Sequence, residues 1–185
     1  DWDKFIVDDV NKYEANDILM SFVDNHDENS WSGTVQSRLG EAEEAMTALS
    51  YLTPGMPLIY SGNEYGLSHS LKFFEKDSIP KTKGKDWDFR ANIGKLKVEN
   101  SALNGGKNKA TYTRIKSSKD EQVLVFEREK EGKKVIYMAN LSSKPVDVSI
   151  PLNGSYKDVI TGEKIGLNEK QIYPLKPWQY YILTE

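Results

Sequence analysis

Two short apolar runs separated by a helical stripe constrain the fold of this chain most strongly. Residues 18–23 (ILMSFV) and 56–60 (MPLIY) are nearly continuous apolar segments, which is typical of strands buried on both faces of a parallel sheet. Over residues 39–52, apolar side chains recur at spacings of three and four until a Pro-Gly pair. The pattern predicts a βαβ unit, whose chemistry belongs at the carboxyl ends of its strands.

The segment after this unit predicts a loop and then a helix. Residues 61–88 are rich in Gly, Lys, Asp and Ser and show no clean period, so we predict a long surface loop there. From Phe89 to Leu103 apolar residues lie roughly on one side of a helix, and the Asn-Gly-Gly of residues 104–106 would end it.

From about residue 109 the pattern changes to short runs rich in Val, Ile, Tyr and Phe, separated by X-Gly turns. Val146, Val148 and Ile150 alternate with polar residues, so one face of that strand is expected to be wet. This spacing is typical of an antiparallel sandwich or small barrel. The predicted strands cover residues 122–128, 134–140, 146–150 and 179–183. We therefore divide the chain into an α/β part, residues 1–106, and an all-β part, residues 107–185.

Composition excludes several classes of partner. The net charge of −3 gives no basic surplus for phosphate backbones, so nucleic acid is not an expected partner. The absence of cysteine excludes disulfides, thiolate metal sites and a Cys nucleophile. No apolar run is long enough to span a membrane and the N-terminus has no signal-peptide character, so we expect a soluble chain. The compartment stays unknown: secreted, periplasmic and cytoplasmic parents are all open.

The best candidate site lies at the end of the first predicted strand. Asp24, Asn25, His26 and Asp27 follow one another there. Parallel α/β proteins build ligand sites at this edge, yet Asn and Asp also cap the backbone at strand ends. The residue types alone therefore leave a ligand site and a structural junction equally open.

Three motifs extend the interpretation. Residues 22–27 (FVDNHD) resemble the F-x-x-N-H-D motif of the alpha-amylase family, which closes the seventh strand of an eight-stranded barrel. Residues 53–66 (TPGMPLIYSGNEYG) are similar to the family's P-G-x-P-x-I-Y-x-G-x-E-x-G at the eighth strand, and residues 100–105 (NSALNG) are similar to its closing helix, which ends near an N-x-A-L-x-x-G pattern. The resemblance implies a C-terminal fragment of a (β/α)8 TIM barrel followed by an antiparallel β-sandwich domain.

The resemblance also implies roles for single residues. Asp27 matches the carboxylate that stabilises the oxocarbenium-like transition state, and His26 matches a hydrogen-bond donor to the same sugar. A histidine satisfied by a backbone carbonyl is the alternative for His26. Asn25 is assigned to the substrate site, chiefly to position the strand end, and Asp24 is interpreted as structural.

Trp31 and two departures from the family pattern concern the surroundings of Asp27. Trp31 would stack on a sugar ring, or else serve as a core or rim aromatic. Many family members carry an arginine shortly after the His-Asp pair, whereas the nearest one here is Arg38. Asn63 stands where an acidic residue or glutamine is common, and Glu64 is expected to be a structural hydrogen-bonding residue rather than a catalytic one.

The sequence lacks part of the catalytic apparatus. A retaining glycosidase needs a nucleophile and an acid about 5–5.5 Å apart, which the family takes from its fourth and fifth strands. No segment here resembles those motifs, so we expect part of a retaining hydrolase acting on alpha-glucans, of the alpha-amylase or alpha-glucosidase type, that is inactive alone. A glycosyltransferase or isomerase of the same family stays open. So does a carbohydrate-binding or structural sandwich module, with aromatic candidates Tyr112, Tyr137, Tyr156 and Trp178.

Cofactors and assembly complete the expectations. No metal is expected in this chain, because Asp24, Asp27 and Glu28 lack calcium-loop spacing, although the full-length parent could hold calcium. Two barrel strands without the others leave unpaired edges, so oligomerisation through those edges is expected. The sandwich is expected to be large enough to fold alone.

Overall fold

The predicted βαβ unit forms, but its strands are much shorter than the apolar runs. In the computed structural model, which describes residues 2–6 and 12–185, a short helix α1 (Trp2–Lys4) precedes strand β1 (Met20–Ser21). Strand β1 pairs in parallel with β2 (Met56–Pro57). Residues 1 and 7–11 of the predicted α/β part lie outside the described residues.

Gly55 permits this pairing. Its φ is +133°, and a Cβ there would lie 2.4 Å from the carbonyl oxygen of Leu19. That carbonyl instead accepts a hydrogen bond from Met56 N at 2.8 Å, and Leu58 N donates to Ser21 O at 2.9 Å. The glycine of the Pro-Gly pair therefore lets the chain approach Leu19 closely enough for the second strand to begin.

The helix between the strands starts earlier than predicted. Helix α2 (Val35–Leu39) continues through a 3₁₀ turn (Gly40–Ala42) into α3 (Glu43–Leu52). Thr34 caps α2, since its Oγ1 accepts a hydrogen bond from Ser37 N at 3.2 Å. The cap starts the helix before the apolar stripe begins, because an N-cap satisfies exposed N–H groups whether or not the first turn is apolar.

The prediction of a helix from Phe89 to Leu103 was wrong at both ends. Helix α4 runs over Lys85–Glu99, and a 3₁₀ helix (Ser101–Leu103) follows it. Asn100 separates the two: its backbone is extended and its Oδ1 accepts from Ala102 N at 3.0 Å. An asparagine that bonds to nearby backbone competes with the helix, which the apolar spacing did not register. The loop before α4 contains one 3₁₀ turn (Asn63–Tyr65).

The C-terminal part is an antiparallel sandwich of unequal sheets. A 3₁₀ turn (Gly106–Asn108) leads into β3 (Thr111–Ile115), β4 (Val123–Lys130), β5 (Lys133–Asn140), β6 (Val146–Val148), β7 (Gly154–Asp158), β8 (Lys164–Leu167), β9 (Tyr173–Leu175) and β10 (Tyr180–Thr184). The large sheet has the order β3-β4-β5-β10-β7-β8, and β6 pairs with β9 as a second sheet. Four predicted strands are present, whereas β3, β7, β8 and β9 were missed because they are short and polar.

The central strands of the large sheet are buried on both faces. Val123 and Val125 of β4 face the small sheet, where Val146, Val148 and Ile150 are buried and Asp147 is exposed, so the predicted wet and dry faces are confirmed. The alternate residues of β4 and β5 face α3 and α4 instead. They form one core of Leu124, Phe126, Val135, Tyr137 and Ala139 with Leu49, Leu52, Ile93, Ala102 and Leu103.

This shared core crosses the predicted boundary at residues 106 and 107. Without α3 and α4, the apolar residues on one face of the large sheet would meet water, at a cost of roughly 25 cal/mol for each Å² of apolar surface. The face therefore argues against a self-sufficient sandwich. The division of the chain into two domains stays a prediction.

In the described part of the chain, the short parallel strands have no comparable cover. Large apolar side chains along and beside them are 41–52% exposed, unlike those of β4 and β5. Among the described residues, no helix has the length and apolar character needed to cross a bilayer. The exposed side chains are Ile18, Met20, Phe22, Met56 and Ile59.

Candidate functional site

His26 and Asp27 lie exposed and side by side just beyond the carboxyl end of β1. Their side chains are 64% and 62% exposed, and Nε2 of His26 lies 3.6 Å from Oδ2 of Asp27. Asn25 Oδ1 accepts a hydrogen bond from Glu28 N at 2.8 Å and so caps the π-helical turn (Glu28–Ser32) that follows. The geometry leaves both His26 and Asp27 free to meet a ligand from solvent, while the amide of Asn25 shapes the loop beneath them.

Asp24 is the buried anchor of the site. Its carboxylate is fully buried and accepts from Arg38 Nη2 at 2.7 Å, from Asn63 Nδ2 at 3.0 Å and from Asn29 Nδ2 at 3.3 Å. A buried carboxylate is tolerated only when its charge and lone pairs are matched in this way. The bond to Asn63 joins the loops that follow β1 and β2, so the two motifs are held together at one edge.

Arg38 is committed to this interior network. Besides Asp24, its guanidinium donates to Val23 O at 2.8 Å and to Gly33 O at 3.0 Å. Its Nη1 lies 3.6 Å from a carboxylate oxygen of Glu28. Arg38 therefore holds the loop that follows β1 from its buried side. Sequence reasoning noted Arg38 only as a departure and missed this role, because the partners come from segments far apart in the chain.

Two further side chains of the second motif line this edge. Glu64 Oε2 accepts from Gly62 N at 2.9 Å, a local contact of the structural kind predicted for it. Burial raises the pKa of the Tyr60 hydroxyl, and the negative charge of Asp24 raises it further. Tyr60 therefore stays neutral over the physiological range and adds no charge to the site.

Trp31 is exposed rather than packed in a core. Its side chain is 66% exposed, and its ring centroid lies 5.4 Å from that of Phe73. Phe73 also lies 5.7 Å from the His26 ring and 4.7 Å from Phe74. Sequence reasoning missed both phenylalanines, although two adjacent aromatics inside an otherwise polar loop were the signal.

Within residues 2–6 and 12–185, no three His, Cys, Asp or Glu side chains converge closely enough to hold an ion. Asp24 already uses its oxygens on Arg38, Asn29 and Asn63.

Comparison with known proteins finds a similarity in the C-terminal part. Residues 113–182 match the family described as the maltogenic amylase C-terminal domain. The alpha-amylase MalA of Haloarcula japonica is 23% identical over 149 residues, which are 80% of this chain and 22% of that protein.

Solved structures extend the similarity to the whole fold. The noncanonic maltogenic alpha-amylase AmyB of Thermotoga neapolitana superposes on 100% of this chain and 45% of its own, with a TM-score of 0.82 and 17% identity. The alpha-amylase of Lactobacillus plantarum covers 100% of this chain and 42% of its own, with a TM-score of 0.73 and 16% identity. The chain thus spans less than half of these relatives. The predicted alpha-amylase family resemblance and the predicted fold class are confirmed.

The aromatic residues considered for the C-terminal sandwich mostly point inward. Tyr137 is fully buried and donates to Ala45 O of α3 at 2.8 Å, and burial raises its pKa well above the usual range. Tyr156 is 9% exposed, and the Tyr112 hydroxyl accepts from Trp2 Nε1 at 2.8 Å. These contacts are those of packing residues. Trp178 is half-buried beside the start of β10.

Proposed function

We propose that this chain is part of a retaining glycoside hydrolase acting on alpha-glucans, in which it carries the transition-state-stabilising carboxylate. The supporting observation is that Asp27 and His26 stand exposed together at the carboxyl edge of the parallel strands. A carboxylate fixed there stabilises the positive charge that develops on a sugar ring during cleavage.

In this proposal each residue of the first motif has a separate task. Asp27 faces the developing charge and accepts sugar hydroxyl groups, while His26 donates a hydrogen bond to the same sugar. Asn25 holds the turn, and Asp24, neutralised by Arg38, anchors the loop. Because the anchor is satisfied before any ligand arrives, little reorganisation accompanies the reaction.

The nucleophile and the acid come from polypeptide outside these 185 residues in our proposal. One carboxylate cannot both form the glycosyl ester and protonate the leaving group. The exposed side chains of Ile18, Met20 and Ile59 fit further barrel strands laid against β1 and β2, or association between copies. We therefore propose that the 185-residue chain alone does not turn over alpha-glucans.

A structural role for the C-terminal domain has its own support. The large sheet packs on α3 and α4 through a shared core, and Tyr137 bonds to the backbone of α3. We assign this domain to supporting the barrel helices rather than to independent sugar binding. A family transferase would use Asp27 and His26 in the same way, since these residues do not select the acceptor.

The test measures binding and turnover with the same chain. Calorimetric titration with maltoheptaose should show binding that Asp27→Asn weakens by about tenfold, because a charge-assisted hydrogen bond contributes about 1.5–3 kcal/mol. Asp147→Asn, on the wet face of β6, is the control and should bind like the parent. Release of reducing sugar by the pure chain, or unchanged affinity in Asp27→Asn, would contradict the proposal.

A further inference from the structure

The loop between β2 and α4 carries two aromatic residues to the edge of the candidate site. Phe73 and Phe74 are 40% and 85% exposed, although each has a large apolar surface. Phe73 contacts three other rings, those of His26, Trp31 and Phe74, at centroid distances of 5.7, 5.4 and 4.7 Å. We call Trp31, Phe73 and Phe74 the aromatic platform.

The platform is held in place from the buried side. Asn29, 1% exposed, donates to Asp24 and accepts from Leu71 N at 2.7 Å through its Oδ1. Ser30 Oγ donates to Leu71 O at 3.0 Å. Both bonds hold the backbone two residues before Phe73, so Asn29, which also donates to the buried Asp24, links the network around Asp24 to the position of the platform.

The outer half of the loop, around residues 69–78, is held by hydrogen bonds and ion pairs within the loop itself. Asp77 accepts from Lys72 N at 3.1 Å and from Ser78 N at 2.7 Å. These backbone bonds lower the pKa of Asp77, and His69 lies 3.7 Å from the same carboxylate. The ammonium of Lys72 pairs with Glu75 at 2.9 Å. A loop closed on both sides of Phe73 and Phe74 presents its rings with little entropy left to lose on binding.

We propose that the aromatic platform is a second sugar subsite, on which pyranose rings of an alpha-glucan stack when another ring of the same chain lies at Asp27. The proposal rests on the proposed function. Pyranose faces carry C–H groups that suit an aromatic plane, and the neighbouring imidazole and carboxylate supply hydrogen bonds for the hydroxyl groups.

The platform predicts a dependence on chain length. Maltose would fill the position at Asp27 without reaching far along the platform, whereas maltoheptaose would engage both. Phe73→Ala and Phe74→Ala should each weaken maltoheptaose binding by about five- to tenfold and change maltose binding by less than about twofold. Asp27→Asn should weaken both sugars.

The experiment is calorimetric titration of the 185-residue chain and its variants with both sugars. Ile172→Ala is the matched control, since Ile172 is 64% exposed on the sandwich. Thermal unfolding confirms that each variant folds. Sedimentation measures self-association in parallel, because a second copy is the competing occupant of exposed rings.

Each outcome decides between the two proposals. Loss confined to maltoheptaose in the phenylalanine variants supports the platform. If those variants match the parent while Asp27→Asn binds weakly, the platform is wrong and the proposed function stands. If they lose maltoheptaose while Asp27→Asn does not, the platform stands and the role of Asp27 falls. Absence of binding by the parent, or a dimer that Phe74→Ala dissociates, overturns the platform.

Discussion

The parallel sheet of β1 and β2 and the large antiparallel sheet bury their strands to different extents. Strands β4 and β5 are covered on both faces, by the small sheet on one side and by α3 and α4 on the other. Among residues 2–6 and 12–185, strands β1 and β2 pair only with each other, and the paired residues Met20 and Met56 are 52% and 49% exposed. The candidate site thus lies on the less completed of the two sheets.

The sandwich supports the site region by packing against the helical part of the chain. The helix that connects β1 to β2 has its buried face against the large sheet, so the parallel pair is held indirectly. Arg128 of β4 adds polar contacts across this junction, because it donates to Leu52 O at 2.8 Å and to Asn104 O at 2.9 Å. It also donates to Thr111 O of the neighbouring strand β3 at 3.0 Å. Arg128 is fully buried, and burial lowers its pKa to about 10.

Replacement of Arg128 should have the largest effect on the stability of the contact between the sandwich and the helical part. Arg128→Met keeps the volume but removes three charge-assisted hydrogen bonds, each contributing about 1.5–3 kcal/mol, and this loss is partly offset because no cation is buried. We expect the free energy of unfolding in urea to fall by about 3 kcal/mol. Lys164→Met, on an exposed position of β8, should change it by less than about 0.5 kcal/mol. Equal stability of the two variants would show that apolar packing alone joins the regions.

Gly55→Ala should damage the parallel pair and spare the sandwich. The new Cβ would meet Leu19 O at 2.4 Å in a backbone conformation that alanine rarely adopts. We expect a loss of about 2–3 kcal/mol, seen as faster amide hydrogen exchange at Met56 and Leu58 but not in β4. Gly132→Ala separates the steric clash from the backbone strain, because Gly132 also has a positive φ but has open space around it. Uniformly faster exchange in Gly55→Ala would mean that the two sheets unfold as one unit.

Replacement of Lys97 should have the smallest effect on the free energy of unfolding, and this effect should depend on pH. Burial, with a contribution from Arg128, lowers the pKa of Lys97 to about 8, and among the described residues its Nζ has no hydrogen-bond partner. The unfolded chain binds more protons between about pH 8 and the ordinary lysine pKa of 10.5, so the contribution of Lys97 to stability rises with pH through that window.

Lys97→Met should therefore be more stable than the parent by about 1 kcal/mol below pH 8, and the difference should shrink toward pH 10.5. Urea unfolding at several pH values measures this difference. Lys95→Met, on the exposed side of the same helix, should show no such trend. A pH-independent difference between Lys97→Met and the parent would contradict a buried ammonium.

Much of the fold was accessible from local patterns. The alternation of Val146, Val148 and Ile150 predicted a strand with one dry face, and the FVDNHD run predicted polar residues just beyond the end of the first parallel strand. The error at Asn100 has a local cause, since a side chain that bonds its own backbone ends a helix without disturbing the apolar spacing. Strand β7, with sequence GSYKD, has too few apolar residues to be recognised without its partners.

The sequence by itself determined that a βαβ unit precedes an antiparallel sandwich and that Asp24 to Asp27 follow the first parallel strand, because these features depend on neighbours a few positions apart. Only the tertiary structure decided that Arg38 and Asn63 meet the buried Asp24, that Phe73 joins Trp31, and that the sandwich shares its core with α3 and α4. Such contacts join segments far apart in the chain. They form only when the whole set of apolar faces is buried together, so no local pattern encodes them.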